Sequence, residues 1–109
     1  MKLLVVGSRS ITEFDLSPYI NADVDTIISG GASGIDSLAE QYADAHHISK
    51  YILRPRYDIF GRAAPLRRNE QMVDIADAVL VIWNGQSKGT HYILKYTQKK
   101  NKPITLIVL

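Results

Sequence analysis

The sequence predicts a Rossmann-like α/β fold of three layers, with helices on both faces of a five-stranded parallel sheet. Short apolar runs alternate with segments of helical period along the 109 residues. Most of these runs are continuous rather than alternating, as is typical of strands buried on both faces of a parallel sheet. Because crossovers between parallel strands are right-handed, few topologies remain, and we predict the strand order 3-2-1-4-5.

Five apolar runs supply the predicted strands. They are Leu3–Val6, Thr26–Ile28, Tyr51–Leu53, Ala78–Ile82 and Ile104–Leu109. In an open sheet of this order, ligands bind beyond the carboxyl ends of the strands, where the strand order reverses. We therefore expect a ligand site between strands 1 and 4.

Three segments between the strands have helical character. They are Gly34–His47, 62–76 and Gly89–Lys100. The first places apolar side chains at i, i+3, i+4 and i+7 spacing, and His46 falls on this predicted core face. Pro65 is tolerated in the second because it lies in the first turn. A weaker segment, Thr12–Ile20, is interrupted by Pro18.

Composition bounds the class of protein. With 46% hydrophobic and 22% charged residues, the chain is expected to be one globular domain spanning residues 1–109. The absence of cysteine excludes disulfides and thiolate chemistry within it. No apolar run is long enough for a membrane span, and we expect a cytoplasmic protein. His46, His47 and His91 lack metal-ligand spacing, so no metal site is predicted.

Basic residues are concentrated in the second half of the chain. Five arginines fall within fifteen residues: Arg54, Arg56, Arg62, Arg67 and Arg68. The planar guanidinium suits phosphate and carboxylate groups, so this cluster either faces an anionic ligand or forms a solvated basic surface.

The most informative motif is the glycine-rich loop 30–36, which joins strand 2 to the first helix. Amides in the first turn of a helix lack intrahelical partners, and the helix dipole is positive there, so such a loop binds anions. Ser33 and Asp36 have capping-box spacing and predict the start of the helix. The alternative is that the glycines only allow a tight turn. If the loop binds phosphate, Gly31→Val should abolish binding and leave the fold intact.

Two further loops are expected at the same edge of the sheet. Gly7, Ser8 and Arg9 follow strand 1, and a second glycine-rich stretch, 83–90, follows strand 4. Each loop alone is explained equally well by chain geometry. Three such loops on one edge predict a phosphorylated, nucleotide-like ligand. The chain has neither a P-loop nor a Gly-x-Gly-x-x-Gly fingerprint, which disfavours a P-loop NTPase and a standard dehydrogenase.

Side chains from the second helix complete the predicted site. Arg68 and Asn69 reach the ligand, while Glu70 either acts on it or orients an arginine. Trp83 either stacks on a base or packs in the core. The predicted ligand-binding residues are Gly7, Ser8, Arg9, Gly30, Gly31, Ala32, Ser33, Gly34, Asp36, Arg68, Asn69, Gly85, Ser87, Lys88, Gly89 and Thr90.

These motifs together resemble the SLOG superfamily, the Rossmann-like domains named for the DNA-processing Smf/DprA proteins and the LOG phosphoribohydrolases. The most specific likeness is the string 29–36, Ser-Gly-Gly-Ala-Ser-Gly-Ile-Asp, and the resemblance extends over nearly the whole chain. Other matching stretches are Gly7–Arg9, Arg68–Glu70 with Met72, Asp77–Val79, and Gly85 with Gly89 and Thr90. The compact form is similar to small bacterial and phage members.

The resemblance implies a site for nucleotides or nucleotide-derived molecules. Our leading hypothesis is therefore a binding module that acts as a sensor, scavenger or carrier and requires no cofactor. The resemblance also implies two alternatives. One is cleavage of an N-glycosidic bond, although the glutamate of LOG enzymes is missing because no acid lies between His91 and Lys100. The remaining candidate catalytic residues are Glu70 and Asp36. The other alternative is single-stranded DNA binding. Relatives often dimerise, which makes a homodimer an open expectation.

Overall fold

The computed structural model describes residues 1–109 and consists of five strands and four α-helices. In chain order the elements are β1 (Lys2–Gly7), β2 (Thr26–Ser29), α1 (Ile35–Ala45), β3 (Ser49–Ile52), α2 (Tyr57–Phe60), α3 (Ala64–Ile75), β4 (Ala78–Trp83), α4 (Lys88–Lys99) and β5 (Ile104–Val108). Short 3₁₀ turns occupy Ser17–Tyr19 and Gly61–Ala63. No helix is both long enough and apolar enough to cross a bilayer.

All five strands are parallel and lie in the order β3-β2-β1-β4-β5, which confirms the predicted fold class and strand order. The central strand β1 pairs with β2 on one side and with β4 on the other. The strand order therefore reverses between β1 and β4. Loops that follow these two strands meet at the carboxyl edge of the sheet.

Two apolar cores lie on the two faces of the sheet. One packs α1 and the β1–β2 connection against Val5, Ile27 and Leu80. The other packs α3 and α4 against Leu4 and Val81. Burial of both faces explains why the central strands are continuously apolar. The sheet is thus flanked by helices, as in Rossmann-like folds.

Several element boundaries differ from the sequence-based prediction. The structure begins β3 at Ser49, two residues before the predicted start at Tyr51. The predicted helix 62–76 begins at Ala64, with Pro65 in its first turn. The weak segment 12–20 forms only the 3₁₀ turn at Ser17–Tyr19. In this turn Pro18 occupies a position where no backbone donor is needed.

The two outer strands depart from the expectation of burial on both faces. In β3 the first three residues are exposed. In β5 the side chains of Leu106 and Val108 remain 42% and 58% exposed. Each outer strand has a neighbour on one side only, which explains the difference from the central strands.

The predicted placement of His46 in the core is wrong. Helix α1 ends at Ala45, and His46 is an exposed cap residue whose ring stacks on Tyr42 at 3.9 Å between centroids. The next residue, His47, has a φ of +56° and leaves the helix in the left-handed conformation that ends many helices. The helical periodicity continued past the point where the backbone turns away, so periodicity alone could not place His46.

Candidate functional site

A cavity of about 340 Å³ lies at the carboxyl edge of the sheet, between the loops that follow β1 and β4. This volume is at the lower end of the range of small-molecule sites. Its lining comes from the end of β1 and the loop after it, from the loop after β2 and the start of α1, from α3, and from the start of α4 with the residue before it. The lining residues are Val6, Gly7, Arg9, Ala32, Asp36, Arg68, Asn69, Met72, Ser87, Gly89, Thr90 and Ile93.

The loop after β1 joins the elements that surround the cavity. The amide of buried Ser8 donates to the carbonyl of Ile82, and the Ser8 hydroxyl accepts from the amide of Asn84 at 2.9 Å. A Cβ on Gly7 would lie 2.2 Å from the carbonyl oxygen of Ile82 and 2.6 Å from Ile35. Gly7 therefore allows close packing of β1 on β4 and α1, and Ser8 anchors the loop after β4.

Gly34 brings the start of α1 against the β1 loop. Its φ is +73°, and a Cβ there would lie 2.5 Å from the carbonyl oxygens of Ser8 and Arg9. A side chain at this position is excluded both by its conformation and by lack of space. Gly34, and not Ser33, occupies the N-cap position.

The predicted capping box is correspondingly wrong in its details. The exposed Ser33 makes no side-chain capping bond, while Asp36 Oδ2 accepts from the amide of Ala32 at 3.2 Å. In a capping box, Asp36 would accept from the amide of Ser33, and here it accepts from the amide one residue earlier. The left-handed N-cap glycine shifts the donor that Asp36 can reach.

Gly31 faces away from the cavity, toward the end of β3. Its φ is +75°, and a Cβ there would lie 2.7 Å from Arg54 Nη1 and 3.1 Å from Ile52 Cγ2. Valine would therefore meet Arg54 and strain the backbone. Gly31→Val is therefore expected to disturb the local fold, so this variant does not test ligand binding by itself.

The start of α1 leaves several backbone donors free. The amides of Ser33, Gly34, Asp36 and Ser37 have no hydrogen-bond partner in the protein. The positive end of the α1 dipole lies among them. Since Ala32 and Asp36 line the cavity, this helix terminus is one of its walls.

Arg68 links three elements at the base of the cavity. Its Nη1 donates to the carbonyls of Gly30 at 2.9 Å and Leu53 at 3.3 Å, and its Nε donates to Asn69 Oδ1 at 2.9 Å. Burial lowers the pKa of the Arg68 guanidinium, while nearby Asp36 opposes that shift. Arginine stays protonated in proteins despite such a shift, so Arg68 carries a fixed positive charge.

Arg9 is the second cation at the cavity and has a different environment. Its side chain is exposed and makes no ion pair or hydrogen bond within the protein. It lines the cavity together with Arg68. An unpaired guanidinium at the mouth of the cavity has all of its donors available for an incoming anion.

Asp36 is the single carboxylate that lines the cavity, and it is buried, with 8% of its surface exposed. Desolvation raises its pKa, although the Ala32 amide and the charges of Arg68 and Arg9 act in the opposite direction. Loss of water disfavours the charged form, and that cost exceeds the compensation from its partners. A proton at Asp36 is thus held more firmly than on a free aspartate.

The loop after β4 forms the opposite wall. The hydroxyl of Ser87 accepts from the amide of Thr90 and caps α4, and Asn84 Oδ1 accepts from the amides of Gln86 and Ser87. These bonds fix the turn that places Ser87, Gly89 and Thr90 in the cavity lining. The amide of Gly89 has no partner in the protein.

Two other candidates lie outside the cavity. The Glu70 carboxylate accepts from the hydroxyl of Tyr92 at 2.5 Å and from Arg67 at 3.0 Å, and these bonds lower its pKa. Glu70 is two residues beyond Arg68, so it points to another side of α3. The Trp83 ring stacks on His91 at 5.7 Å, and its Nε1 donates to the carbonyl of Ser87.

The structure gathers nine of the predicted ligand-binding residues around one cavity. They are Gly7, Arg9, Ala32, Asp36, Arg68, Asn69, Ser87, Gly89 and Thr90. The remaining predicted positions lie beside the lining rather than in it: Ser8, Gly30, Gly31, Ser33, Gly34, Gly85 and Lys88. The predicted site therefore contains both wall residues and residues that shape the loops.

Sequence reasoning missed the apolar part of the cavity. Val6, Met72 and Ile93 line it. In the sequence Val6 ends a predicted strand, and Met72 and Ile93 lie within predicted helical segments. An apolar residue at the end of a buried strand or helix looks the same in the sequence whether it packs against another side chain or lines a cavity.

Nowhere do three histidine, aspartate or glutamate side chains approach one another as a metal site requires. Comparison of the chain with protein-family models, curated proteins and solved structures finds no match. The fold is therefore an α/β fold of the Rossmann-like class, and it has a cavity at the position where such sheets bind ligands.

Proposed function

We propose that this protein is a SLOG-like binding domain for a nucleotide or nucleotide-derived ligand, acting as a sensor, scavenger or carrier. The phosphate would lie between the start of α1 and the start of α4, with Arg9 and Arg68 as its charge partners. The apolar residues Met72 and Ile93 would contact the less polar part of the ligand.

One observation carries this proposal: two helix N-termini and two arginines face the same cavity. Free amides at α1 and at Gly89 offer donors in a region of positive helix dipole. Arg9 adds a guanidinium with no partner of its own. Together these groups match the charge and the hydrogen-bonding needs of a phosphate group.

Replacing Arg9 by glutamine should weaken nucleotide binding without destabilising the protein. Arg9 makes no intramolecular bond, so its removal leaves no group unpaired. Loss of one charge-assisted hydrogen bond costs about 1.5–3 kcal/mol, which is roughly a tenfold or greater loss of affinity. Titration calorimetry with AMP, ADP-ribose and NAD measures the affinity, and thermal unfolding measures the stability.

Arg56→Gln is the matched control. Arg56 is an exposed arginine paired with Asp58 at 2.9 Å, and it does not line the cavity. We expect it to bind like the unchanged protein. Equal losses in the two variants would indicate a general effect of surface charge, and absence of binding to all three nucleotides would contradict the proposal.

A second candidate function is hydrolysis of a nucleotide N-glycosidic bond. It is favoured by Asp36, a buried carboxylate that lines the cavity and whose raised pKa suits proton transfer. Asp36 could also stabilise positive charge that develops on the ribose. Glu70, the other candidate, is held by Tyr92 and Arg67 outside the cavity.

Under this alternative, Asp36→Asn should reduce release of free base from AMP by at least about 100-fold, as loss of a general acid does. Asparagine retains an oxygen that can accept from the Ala32 amide, so the fold should persist. Chromatography of the reaction products measures the released base. Glu70→Gln is the control and should retain full activity. If the unchanged protein releases no base from any nucleotide, the hydrolase is excluded and the binding proposal stands.

A further inference from the structure

Strand β5 forms an edge of the sheet that lacks the usual protection. Its sequence, Ile104-Thr105-Leu106-Ile107-Val108, contains neither a charge nor a proline. Leu106 and Val108 are 42% and 58% exposed. Natural proteins usually protect an edge strand with charges, prolines or bulges, because its free backbone groups can pair with another strand.

The opposite edge of the same sheet is protected. Strand β3 reads Ser49-Lys50-Tyr51-Ile52, and Lys50 forms an ion pair with Asp44 at 2.9 Å. A charged side chain is therefore present in the strand at one edge and missing from the strand at the other. Of the two edges, β5 is therefore the one whose free backbone groups lack this protection.

Backbone hydrogen bonds show which groups of β5 are free. The carbonyl of Pro103 accepts from Val79, and the amide of Leu109 donates to Trp83, so odd-numbered residues face β4. The amides and carbonyls of Ile104, Leu106 and Val108 therefore point away from β4. These same three side chains lie on the α4 face of the sheet, since their partners Val79, Val81 and Trp83 do.

The outward-facing backbone groups of β5 can pair with the same groups of a second β5. If two copies of β5 pair in antiparallel fashion about a two-fold axis at Leu106, all three outward residues of each strand find partners. Ile104 then faces Val108 of the other copy, and the two Leu106 residues face each other. On the α4 face, every side chain in the pair is apolar. Each cross-strand pair on that face therefore joins two apolar residues.

Helix α4 carries no lysine and no carboxylate on the side that is turned toward β5. Its other side faces α3, where Tyr92 and Tyr96 donate to Glu70 and Asp74. At 100° per residue, the side opposite these tyrosines carries His91, Leu94 and Gln98. The lysines of α4 are exposed and lie on its solvent face, between the tyrosine side and the side that carries His91: Lys88, Lys95 and Lys99. A second α4 could therefore approach across the two-fold axis without placing lysines in contact.

We infer that β5 pairs with β5 of a second copy of this chain, joining two five-stranded sheets into one ten-stranded sheet with α4 beside α4. The contacts are backbone hydrogen bonds at the two strands and apolar contacts on the α4 face. Such an interface is isologous and closes at the dimer. It is independent of the proposed ligand, since no residue of β5 lines the cavity.

Sedimentation equilibrium and light scattering, from low micromolar to submillimolar concentration, test the inference. The unchanged protein should be a dimer. Leu106→Lys places two charges against each other at the axis and should weaken the dimer by about 100-fold. Tyr51→Lys is the matched control: Tyr51 is 54% exposed on the β3 edge, and its replacement should leave the dimer unchanged.

A second variant tests the backbone pairing itself. Leu106→Pro removes one outward amide while leaving the bonds to β4 intact, a position where an edge strand tolerates proline. It should yield a folded monomer, with the circular dichroism of the unchanged protein. A monomer in the unchanged protein at submillimolar concentration would overturn the inference. So would a dimer that survives both Leu106 variants or dissociates with Tyr51→Lys.

Discussion

Replacing Gly7 by alanine should strongly destabilise the protein. The new Cβ would lie 2.2 Å from the carbonyl oxygen of Ile82, inside the central strand pair, and 2.6 Å from Ile35. Neither neighbour is the free end of a flexible side chain, so β1 and β4 must separate or α1 must shift. We expect a loss of at least about 3 kcal/mol of unfolding free energy, in the upper range for overpacked cores.

Chemical denaturation measures this loss, and Gly89→Ala is the control. A Cβ on Gly89 meets nothing within 4 Å, and the residue lies in the first turn of α4. Alanine there should leave stability unchanged or raise it by about 0.5–1 kcal/mol, because it restricts the unfolded chain. If Gly7→Ala were as stable as the unchanged protein, the close contact of β1 with Ile82 would be refuted.

Replacing Arg68 by methionine should cost both stability and ligand affinity. Methionine preserves the apolar stem but leaves the carbonyls of Gly30 and Leu53 without a donor. Each buried carbonyl that loses its partner costs about 1–3 kcal/mol, so we expect a total loss of about 3 kcal/mol. The ends of β2 and β3 would also lose their link to α3, which should loosen one wall of the cavity.

Arg67→Met provides the comparison for this variant. Arg67 is the adjacent arginine of α3, but it is exposed and pairs only with Glu70 at 3.0 Å. Exposed pairs of this kind contribute less than about 1 kcal/mol. Denaturation and AMP titration of both variants separate the two positions. Equal stability losses would mean that the Arg68 hydrogen bonds contribute little.

The strand order was predictable from local patterns because crossovers between parallel strands are almost always right-handed, which leaves few topologies. Buried central strands such as β1 and β4 give continuous apolar runs, which the sequence displays directly. The outer strand β5 gives the same run, yet it is exposed. An apolar run predicts a strand, but it does not show whether the strand is central or at the edge of the sheet. That depends on which elements the fold places beside it.

The candidate site was predictable as a group of loops but not as a set of wall residues. Glycines at the ends of β1 and β2 indicated close approach of the backbone, which is correct for Gly7 and Gly34. The structure gives a packing reason for both glycines, since a Cβ on Gly7 would meet Ile82 and a Cβ on Gly34 would meet Ser8. A sequence shows that a position requires glycine, but not which atom excludes the side chain.

By itself, the sequence determined the α/β class, the strand order and the edge of the sheet where the loops gather. These follow from hydrophobic periodicity and the handedness of the chain, which are local properties. Only the tertiary structure decided that Asp36 lines the cavity while Glu70 binds Tyr92, that Arg9 is free while Arg68 joins three elements, and that β5 is exposed. Each of these depends on distances between residues far apart in the chain, which no local pattern encodes.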